Sequence, residues 1–280
     1  MSAYYNEIDP GAAAWLRELI AQGHIAPGDV DERSIEDVTP ADLLGYTQCH
    51  FFAGIGVWSY ALRAAGWPDD RLVWTGSCPC QPFSAAGKGG GIADERHLWP
   101  ALDWLIQQCR PSVVFGEQVA SKDGLAWLDI VSADLEGAGY AIGALDTCAA
   151  GFGAPHIRQR LYWAAEDLRP ADGLANTDCN RRQSRVEIRP ICAQSNAQYG
   201  QRADGSVTRL DRPGPTNGFW QDADWLFSRD GKWRPAQPGT SPLAHRSPAR
   251  VGRLRGYGNA IVAPQATAFI EAYLDVRSAA

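Results

Sequence analysis

The sequence lacks the features that mark a membrane or secreted protein. It has no long apolar run and no charged segment followed by an apolar leader, and these are the usual signals for membrane insertion and export. Internal repeats are absent as well. We therefore expect a cytoplasmic protein that makes no membrane contact.

Cysteine and histidine are present, but not at metal-binding spacings. The seven cysteines are an odd number at irregular intervals, which is typical of free thiols in a reducing compartment rather than of a disulfide framework. Only Pro79 separates the closest pair, Cys78 and Cys80, and this spacing is tighter than that of zinc ligands. The sequence therefore predicts no bound metal.

Positive charge is scarce over most of the chain and is concentrated in one segment. The net charge is -6, yet residues 167–257 carry 15 Arg and Lys against 9 Asp and Glu. The rest of the chain is strongly acidic. The basic segment is either an arginine-rich solvated loop region or a phosphate-contacting module attached to an acidic catalytic domain.

Short apolar runs alternate with helical patterns as far as about residue 166. One example is the apolar run SVVFGE at 112–117, which follows a helix with a continuous apolar face. Such alternation predicts an α/β fold with a doubly wound, mostly parallel sheet. The apolar face of that helix carries Leu98, Leu102, Leu105, Ile106 and Cys109.

The pattern breaks down from 167 to 250, where Arg, Asn, Gln, Gly and Pro are mixed with scattered tryptophans. So many aromatic residues argue against plain disorder. Periodicity then returns in an amphipathic C-terminal helix. We predict a catalytic domain at 1–166 with 251–280 packing back on it, and a small, irregular target-recognition region at 167–250.

Cys80 is the first candidate for chemistry. It follows the predicted strand RLVWTGS and opens a glycine-rich stretch at 85–92. The carboxyl end of a parallel strand presents groups to a ligand crevice, and a thiolate there is a good nucleophile when nearby positive charge lowers its pKa. Taken alone, Cys80 fits a buried structural cysteine better than a nucleophile.

Further motifs in the sequence favour a nucleophilic role for Cys80. These motifs are Phe52-x-Gly54-x-Gly56, Pro79-Cys80-Gln81, Glu117-Gln118-Val119, His156-x-Arg158-x-Arg160 and Gly258-Asn259 followed by Pro264. Together they resemble those of the DNA (cytosine-5)-methyltransferases, over residues 50–275 apart from the basic segment. The chain departs from the family's pattern at Val57, Gln118 and His156, where the family has Gly, Asn and Gln.

The resemblance implies a fold of the S-adenosylmethionine-dependent methyltransferase type and a set of residue roles. Cys80 would add to carbon 6 of a cytosine flipped out of duplex DNA, and Glu117 would hold or protonate ring nitrogen 3. Arg158 and Arg160 would steady the cytosine carbonyl. The cofactor would contact Phe52, Ala53, Gly54, Gly56 and Asn259, and the DNA would contact Gln81, Ser84 and Lys88.

The adenosine half of the implied cofactor pocket is missing from its usual place. The family has two more strands between the glycine turn and the Pro-Cys-Gln loop, whereas only 22 residues separate Gly56 from Pro79. The N-terminal segments Asn6-Glu7-Ile8-Asp9 and Gly28-Asp29-Val30 resemble the missing strand ends. Glu7 would then bind the ribose hydroxyls, Ile8 would lie against the adenine, and Asp29, beside Val30, would accept from its amino group.

The predicted function is methyl transfer from S-adenosylmethionine to carbon 5 of cytosine in double-stranded DNA, by a monomer that recognises a short target. An RNA cytosine-5 methyltransferase and a DNA-binding homologue without catalysis are the alternatives. A dinucleotide-dependent dehydrogenase is disfavoured, because the glycine turn lacks the third glycine of that fingerprint.

Overall fold

The computed structural model describes residues 2–79, 98–154, 157–169, 224–227, 233–236 and 259–278. In this part of the chain, seven strands form the main sheet and five α-helices accompany it, so the predicted α/β fold is confirmed. The strands are β1 (Ser2–Asn6), β2 (Gly28–Asp31), β3 (Tyr46–Phe51), β4 (Val73–Gly76), β5 (Val113–Val119), β6 (Tyr140–Cys148) and β7 (Gln159–Asp167). The helices are α1 (Pro10–Ala21), α2 (Val57–Ala64), α3 (Trp99–Cys109), α4 (Lys122–Gly137) and α5 (Ala263–Ser278).

The strands lie in the order β2-β1-β3-β4-β5-β7-β6. From β2 to β5 all neighbours are parallel, and β7 is antiparallel to both of its neighbours. If β3, β1, β2, β4 and β5 are numbered 1 to 5, this spatial order becomes the 3-2-1-4-5 order of a doubly wound sheet. The chain thus reaches this spatial order although β1 and β2 precede β3 in sequence.

Side chains alternate between the two faces of the sheet, as the pleat of a strand requires. Val114 and Trp163 face α3 and α4, whereas Val113 and Phe115 face α2 and α5. Helix α1 packs on β1 through a smaller cluster around Tyr5. The cavity described below opens at the carboxyl edge of the parallel strands.

The first helix begins where the sequence indicates. The Asp9 side chain accepts hydrogen bonds from the N–H groups of Gly11 (2.9 Å) and Ala12 (3.0 Å). Pro10, at the first helical position, has no N–H that would need a partner. This cap fixes the start of α1. The short connection between β1 and α1, which includes Glu7 and Ile8, therefore lies at the cavity.

The sheet also encloses a neutral histidine that takes no part in the cavity. His50 Nδ1 lies 2.8 Å from Thr75 Oγ1, and its ring stacks on Tyr5 with centroids 4.9 Å apart. Burial lowers the pKa of His50 to about 3. A histidine held uncharged by its partners is a structural group, which agrees with its lack of any ligand spacing in the sequence.

The C-terminal helix α5 packs against α2, with Ala266 and Ile270 fully buried. Within 167–250, the structure describes a two-stranded antiparallel sheet, β8 (Asp224–Phe227) with β9 (Trp233–Ala236). The rest of that region lies outside the described residues, so its role in target recognition stays a prediction. All four described cysteines are free thiols: Cys49, Cys78, Cys109 and Cys148.

Candidate active site

A cavity of about 900 Å³ lies at the carboxyl edge of the parallel strands. Open α/β sheets bind their ligands in this position. We call its two extremes the β1–β2 end, lined by residues between 6 and 15 and by 33–35, and the β5–β7 end, lined by 77–79, 117–119, 158, 160 and 259–261. The turn after β3 lies between the two ends.

Glu7 holds the β1–β2 end together. Its Oε2 accepts from Gly54 N–H at 2.7 Å and its Oε1 accepts from Asp9 N–H at 2.9 Å. The carboxylate thereby joins the end of β1 to the glycine turn after β3. Because an ionised carboxylate has about four acceptor sites, Glu7 keeps the capacity to bind two hydroxyl groups of a ligand.

The turn after β3 requires glycine at two positions. Gly54 has φ of 56° and Gly56 has φ of 79°, a left-handed conformation that glycine adopts without steric cost. A Cβ on Gly56 would also lie 3.0 Å from Leu16 Cδ2, so glycine allows α1 to approach. Phe52, Ala53 and Gly54 line the cavity, whereas Gly56, which the motif also assigned to the cofactor, is not among the lining residues.

The structure does not bring Asp29 and Val30 into the cavity. Tyr46, the first residue of β3, donates its hydroxyl to Asp29 Oδ2 at 2.8 Å, and this places the carboxylate toward the amino edge of the sheet. Val30 packs on the cluster under α1. The predicted adenine contact is therefore corrected: after β2 the cavity is lined by Arg33, Ser34 and Ile35.

The side chains of Asn6 and Arg33 stabilise the loop after β2 that lines this part of the cavity. Asn6 Nδ2 donates to the Arg33 carbonyl oxygen at 2.9 Å, and Arg33 is paired with Asp31 at 2.6 Å. Burial raises the pKa of Asp31, but hydrogen bonds from Arg33 and Tyr4 outweigh it and lower that pKa to about 2. The charges near β2 thus serve to hold the backbone of the loop rather than to meet a ligand.

Glu117 dominates the β5–β7 end. It is 8% exposed, and its Oε1 lies 2.7 Å from Arg160 Nε. Burial raises the pKa of Glu117, and the charges of Arg160 and Arg158 and hydrogen bonds from Arg160 and Ser77 offset only part of that rise. A carboxyl group in this state can hold a proton at a pH where an exposed glutamate has lost it.

Arg158 and Arg160 flank Glu117 as the motif predicted. Arg158 Nη2 donates to the Ala260 carbonyl oxygen at 2.6 Å, which ties β7 to the segment before α5. Its backbone has φ of 29°, a strained value for a residue other than glycine. Burial and the charge of Arg160 both lower the pKa of Arg158. Two cations are thus concentrated next to one carboxyl group in a water-poor pocket.

Gln118 also lines the cavity, beside Glu117. Its side chain is 2% exposed, and its Oε1 accepts from Val119 N–H at 2.9 Å. Its Nε2 is buried and has no hydrogen-bond partner among the residues that the structure describes. A buried donor of this kind carries a cost of about 1–3 kcal/mol, which an acceptor on a bound ligand would remove.

The other predicted site residues are divided between the cavity and the undescribed part of the chain. Ile8 and Asn259 line the cavity, and both are exposed. Cys80, Gln81, Ser84, Lys88 and His156 lie outside the described residues. Their roles stay predictions. The chain does enter the cavity just before Cys80, since Ser77, Cys78 and Pro79 line it.

Sequence reasoning missed Trp15 and Ser77, which both line the cavity. Ser77 Oγ accepts from Trp58 Nε1 at 2.9 Å, next to Glu117. Trp15 is 44% exposed, whereas Ala13 and Leu16 of the same helix are fully buried. The sequence signal that could have identified Trp15 is a tryptophan outside the apolar face of the helix that follows the motif residue Asp9.

Neither a metal cluster nor a membrane span is found in the described ranges. No group of three His, Cys, Asp or Glu side chains there could hold a metal ion. The described helices include none that is long and apolar enough to cross a bilayer.

Comparison with known proteins locates the family signal in one segment. Residues 67–169 match the family model described as C-5 cytosine-specific DNA methylase. This segment is therefore similar to that family. It includes Cys80, Glu117, Arg158 and Arg160, so the resemblance inferred from the motifs is confirmed there. The N-terminal segment with Glu7 lies outside the match.

Two curated relatives match over 99 residues each. They are the type II methyltransferase M.NlaX of Neisseria lactamica, 33% identical, and the type II methyltransferase M.HaeII of Haemophilus aegyptius, 31% identical. Each match covers 34% of this chain and 31% of the relative. The chain thus spans about a third of the length of the relatives that it matches.

Among solved structures, a mutant DNMT2 of Spodoptera frugiperda is similar with a TM-score of 0.39 and 17% sequence identity. The similarity covers 62% of this chain and 45% of that one. An overlap of this extent carries no argument about the site.

Proposed function

We propose that this chain is a DNA (cytosine-5)-methyltransferase that uses S-adenosylmethionine and acts on double-stranded DNA. The observation that carries the proposal is the pair of the buried Glu117 with Arg160, 2.7 Å apart, which lines the same cavity as the Glu7 carboxylate. The β5–β7 end thus offers a carboxyl group and two cations to a nucleobase, and the β1–β2 end offers a carboxylate to a ribose.

The residues around the cavity fit S-adenosylmethionine. Glu7 has acceptor capacity for two ribose hydroxyls, and Ile8 and Ile35 offer apolar surfaces for a purine. The unpartnered Nε2 of Gln118 can donate to an acceptor group of a ligand. When bound, the cofactor supplies an electrophilic methyl group. Glycine at 54 and 56 lets the turn backbone approach it closely.

At the β5–β7 end, the proposed reaction begins when the Cys80 thiolate forms a bond to carbon 6 of a flipped cytosine. Glu117, whose pKa is raised by burial, would donate a proton to ring nitrogen 3 and make the ring an enamine. Carbon 5 of the enamine would take the methyl group, with S-adenosylhomocysteine as the leaving group. Arg158 and Arg160 stabilise the charge at the carbonyl. A base then removes the carbon 5 proton, the bond between carbon 6 and sulfur breaks so that Cys80 leaves as a thiolate, and ring nitrogen 3 returns its proton to Glu117.

Tritiated S-adenosylmethionine tests the proposal. Purified protein is incubated with unmethylated genomic DNA, the DNA is digested to nucleosides, and label is expected in 5-methylcytosine. The absence of transfer to any duplex tested, including the unmethylated host genome, would contradict it. Bisulfite sequencing of DNA from expressing cells then reads the target, for which we expect a short consensus.

The same assay separates the two alternative functions. Transfer RNA added in competition with DNA takes the label if the chain is an RNA cytosine-5 methyltransferase. A duplex that contains 5-fluorocytosine forms a stalled covalent adduct only with an active thiolate and methyl transfer. A chain that binds this duplex without forming an adduct is a DNA-binding homologue without catalysis.

A further inference from the structure

The β1–β2 end of the cavity has no carboxylate from β2, because Asp29 is held by Tyr46 near the opposite edge. Another surface at this end must therefore bind the purine of the cofactor. Besides the polar side chains of Asn6, Glu7, Asp9 and Arg33, the lining there consists of small or apolar groups and one hydroxyl. Asn6 donates to the Arg33 carbonyl oxygen, and Arg33 is paired with Asp31. The remaining lining residues are Ile8, Gly11, Ala12, Trp15, Ser34 and Ile35.

Trp15 is the aromatic residue in this set. Its side chain is 44% exposed, although α1 buries Ala13 and Leu16 on either side of it. Ile8, which also lines the cavity, is 65% exposed. Exposed apolar groups in a concave site indicate a ligand surface, and an indole offers a large flat area for stacking.

The geometry of α1 allows the indole to face the cavity. Side chains on a helix lean toward its N-terminus, and α1 begins at Pro10, next to Glu7 and Asp9. One turn before Trp15, the helix presents Gly11 and Ala12, which carry no side chain and a methyl group. Since both also line the cavity, nothing bulky on α1 separates the indole from a ligand whose ribose is held by Glu7.

We propose that Trp15 stacks on the adenine ring of S-adenosylmethionine, with Ile8 and Ile35 completing an apolar slot. Recognition of the adenine then rests on a face-to-face contact from α1 rather than on a carboxylate from β2. This inference rests on the proposed function and adds a cofactor-binding residue to it.

The full-length protein tests this with a matched pair of variants. Trp104 on α3 is 48% exposed and does not line the cavity, so Trp104→Ala controls for the loss of an exposed indole. Affinity for S-adenosylhomocysteine is measured by calorimetry. Stacking of a base on an aromatic side chain contributes enough that Trp15→Ala should weaken binding by about tenfold or more. Trp15→Phe should stay within about threefold of wild type, since a phenyl ring still stacks.

A spectroscopic measurement avoids dependence on the folding of any variant. In protein labelled with 5-fluorotryptophan, the Trp15 resonance, assigned by its absence in Trp15→Phe, should shift when S-adenosylhomocysteine is added, while the Trp104 resonance should not. Equal affinities of wild type and Trp15→Ala, with an unmoved Trp15 resonance, would overturn the stacking proposal alone. Wild-type protein that binds no S-adenosylhomocysteine would overturn the proposed function and, with it, this inference.

Discussion

The two ends of the cavity are built in opposite ways. At the β5–β7 end, Glu117 is 8% exposed and is paired with the half-buried Arg160. At the β1–β2 end, two apolar side chains are exposed, Ile8 at 65% and Trp15 at 44%. Charges are worth more where water is excluded, so the first arrangement suits chemistry. Exposed apolar surface suits a ligand that must bind and leave.

The largest effect should come from Glu117, because it is expected to act on the reacting ring. Glu117→Gln keeps the size of the side chain but removes its proton exchange, and we expect methyl transfer to fall by about 10²- to 10⁴-fold. Affinity for S-adenosylhomocysteine should stay within a few-fold of wild type. Single-turnover transfer and calorimetry measure the two quantities, and a variant with normal turnover would show that this end is not where the chemistry occurs.

At the opposite end, Glu7→Gln should change binding rather than chemistry. The amide would place an N–H group against either the Gly54 or the Asp9 N–H and would lose charge-assisted bonds to the ribose. We expect affinity for the cofactor to fall by about tenfold or more, while transfer at saturating cofactor stays near wild type. Glu32→Gln is the control, since Glu32 is paired with Arg17 outside the cavity.

The two ends should also differ in the sign of their pH dependence. The raised pKa of Glu117 means that its stabilising contribution is complete below the ordinary pKa of glutamate and is lost as pH rises through the raised value. The pKa of Asp31, lowered to about 2, gives a contribution that is present above 3.8 and lost as pH falls toward 2.

Urea unfolding at a series of pH values measures these contributions. Relative to wild type, Glu117→Gln should gain stability as pH rises, and the advantage of wild type over Asp31→Asn should shrink as pH falls. Differences that do not change with pH would contradict the assignment of these two groups.

The smallest effect is expected from Asp29, although the sequence placed it in the cofactor pocket. Asp29→Asn keeps an acceptor for the Tyr46 hydroxyl, which now lies 2.8 Å from Oδ2, so stability should change little. Affinity for S-adenosylhomocysteine should stay within about twofold of wild type, as is usual for surface substitutions away from a site. A tenfold loss by calorimetry would restore the sequence prediction and remove the need for a stacking residue at the β1–β2 end.

Much of the β5–β7 end could be predicted from the sequence. Glu117, Arg158 and Arg160 were recognised from motif spacing and do lie together at the cavity. Local sequence determines where each strand begins and ends. Because β5 ends beside the start of the antiparallel β7, these residues meet at one edge of the sheet. The unpartnered amide of Gln118 could not be predicted, since only packing determines whether a buried donor finds a partner.

The β1–β2 end was predicted less well, for a physical reason. The sequence correctly indicated Glu7 at the edge of the cavity, because a strand followed by an Asp-Pro helix start fixes the end of β1. The position of Asp29 depends instead on the register of β2 against β1, where Asp29 is opposite Tyr4 and Asp31 is opposite Asn6. A shift of that register along the strand moves a side chain away from the edge, and the sequence does not encode it locally.

By itself, the sequence determined the alternation of strands and helices, the glycine turn and the charged groups of the β5–β7 end, because each depends on residue type and short spacing. Only the tertiary structure decided that Asp29 faces away from the cavity and that Trp15 faces it. These features depend on how distant segments pack and pair across the sheet, which no single segment specifies.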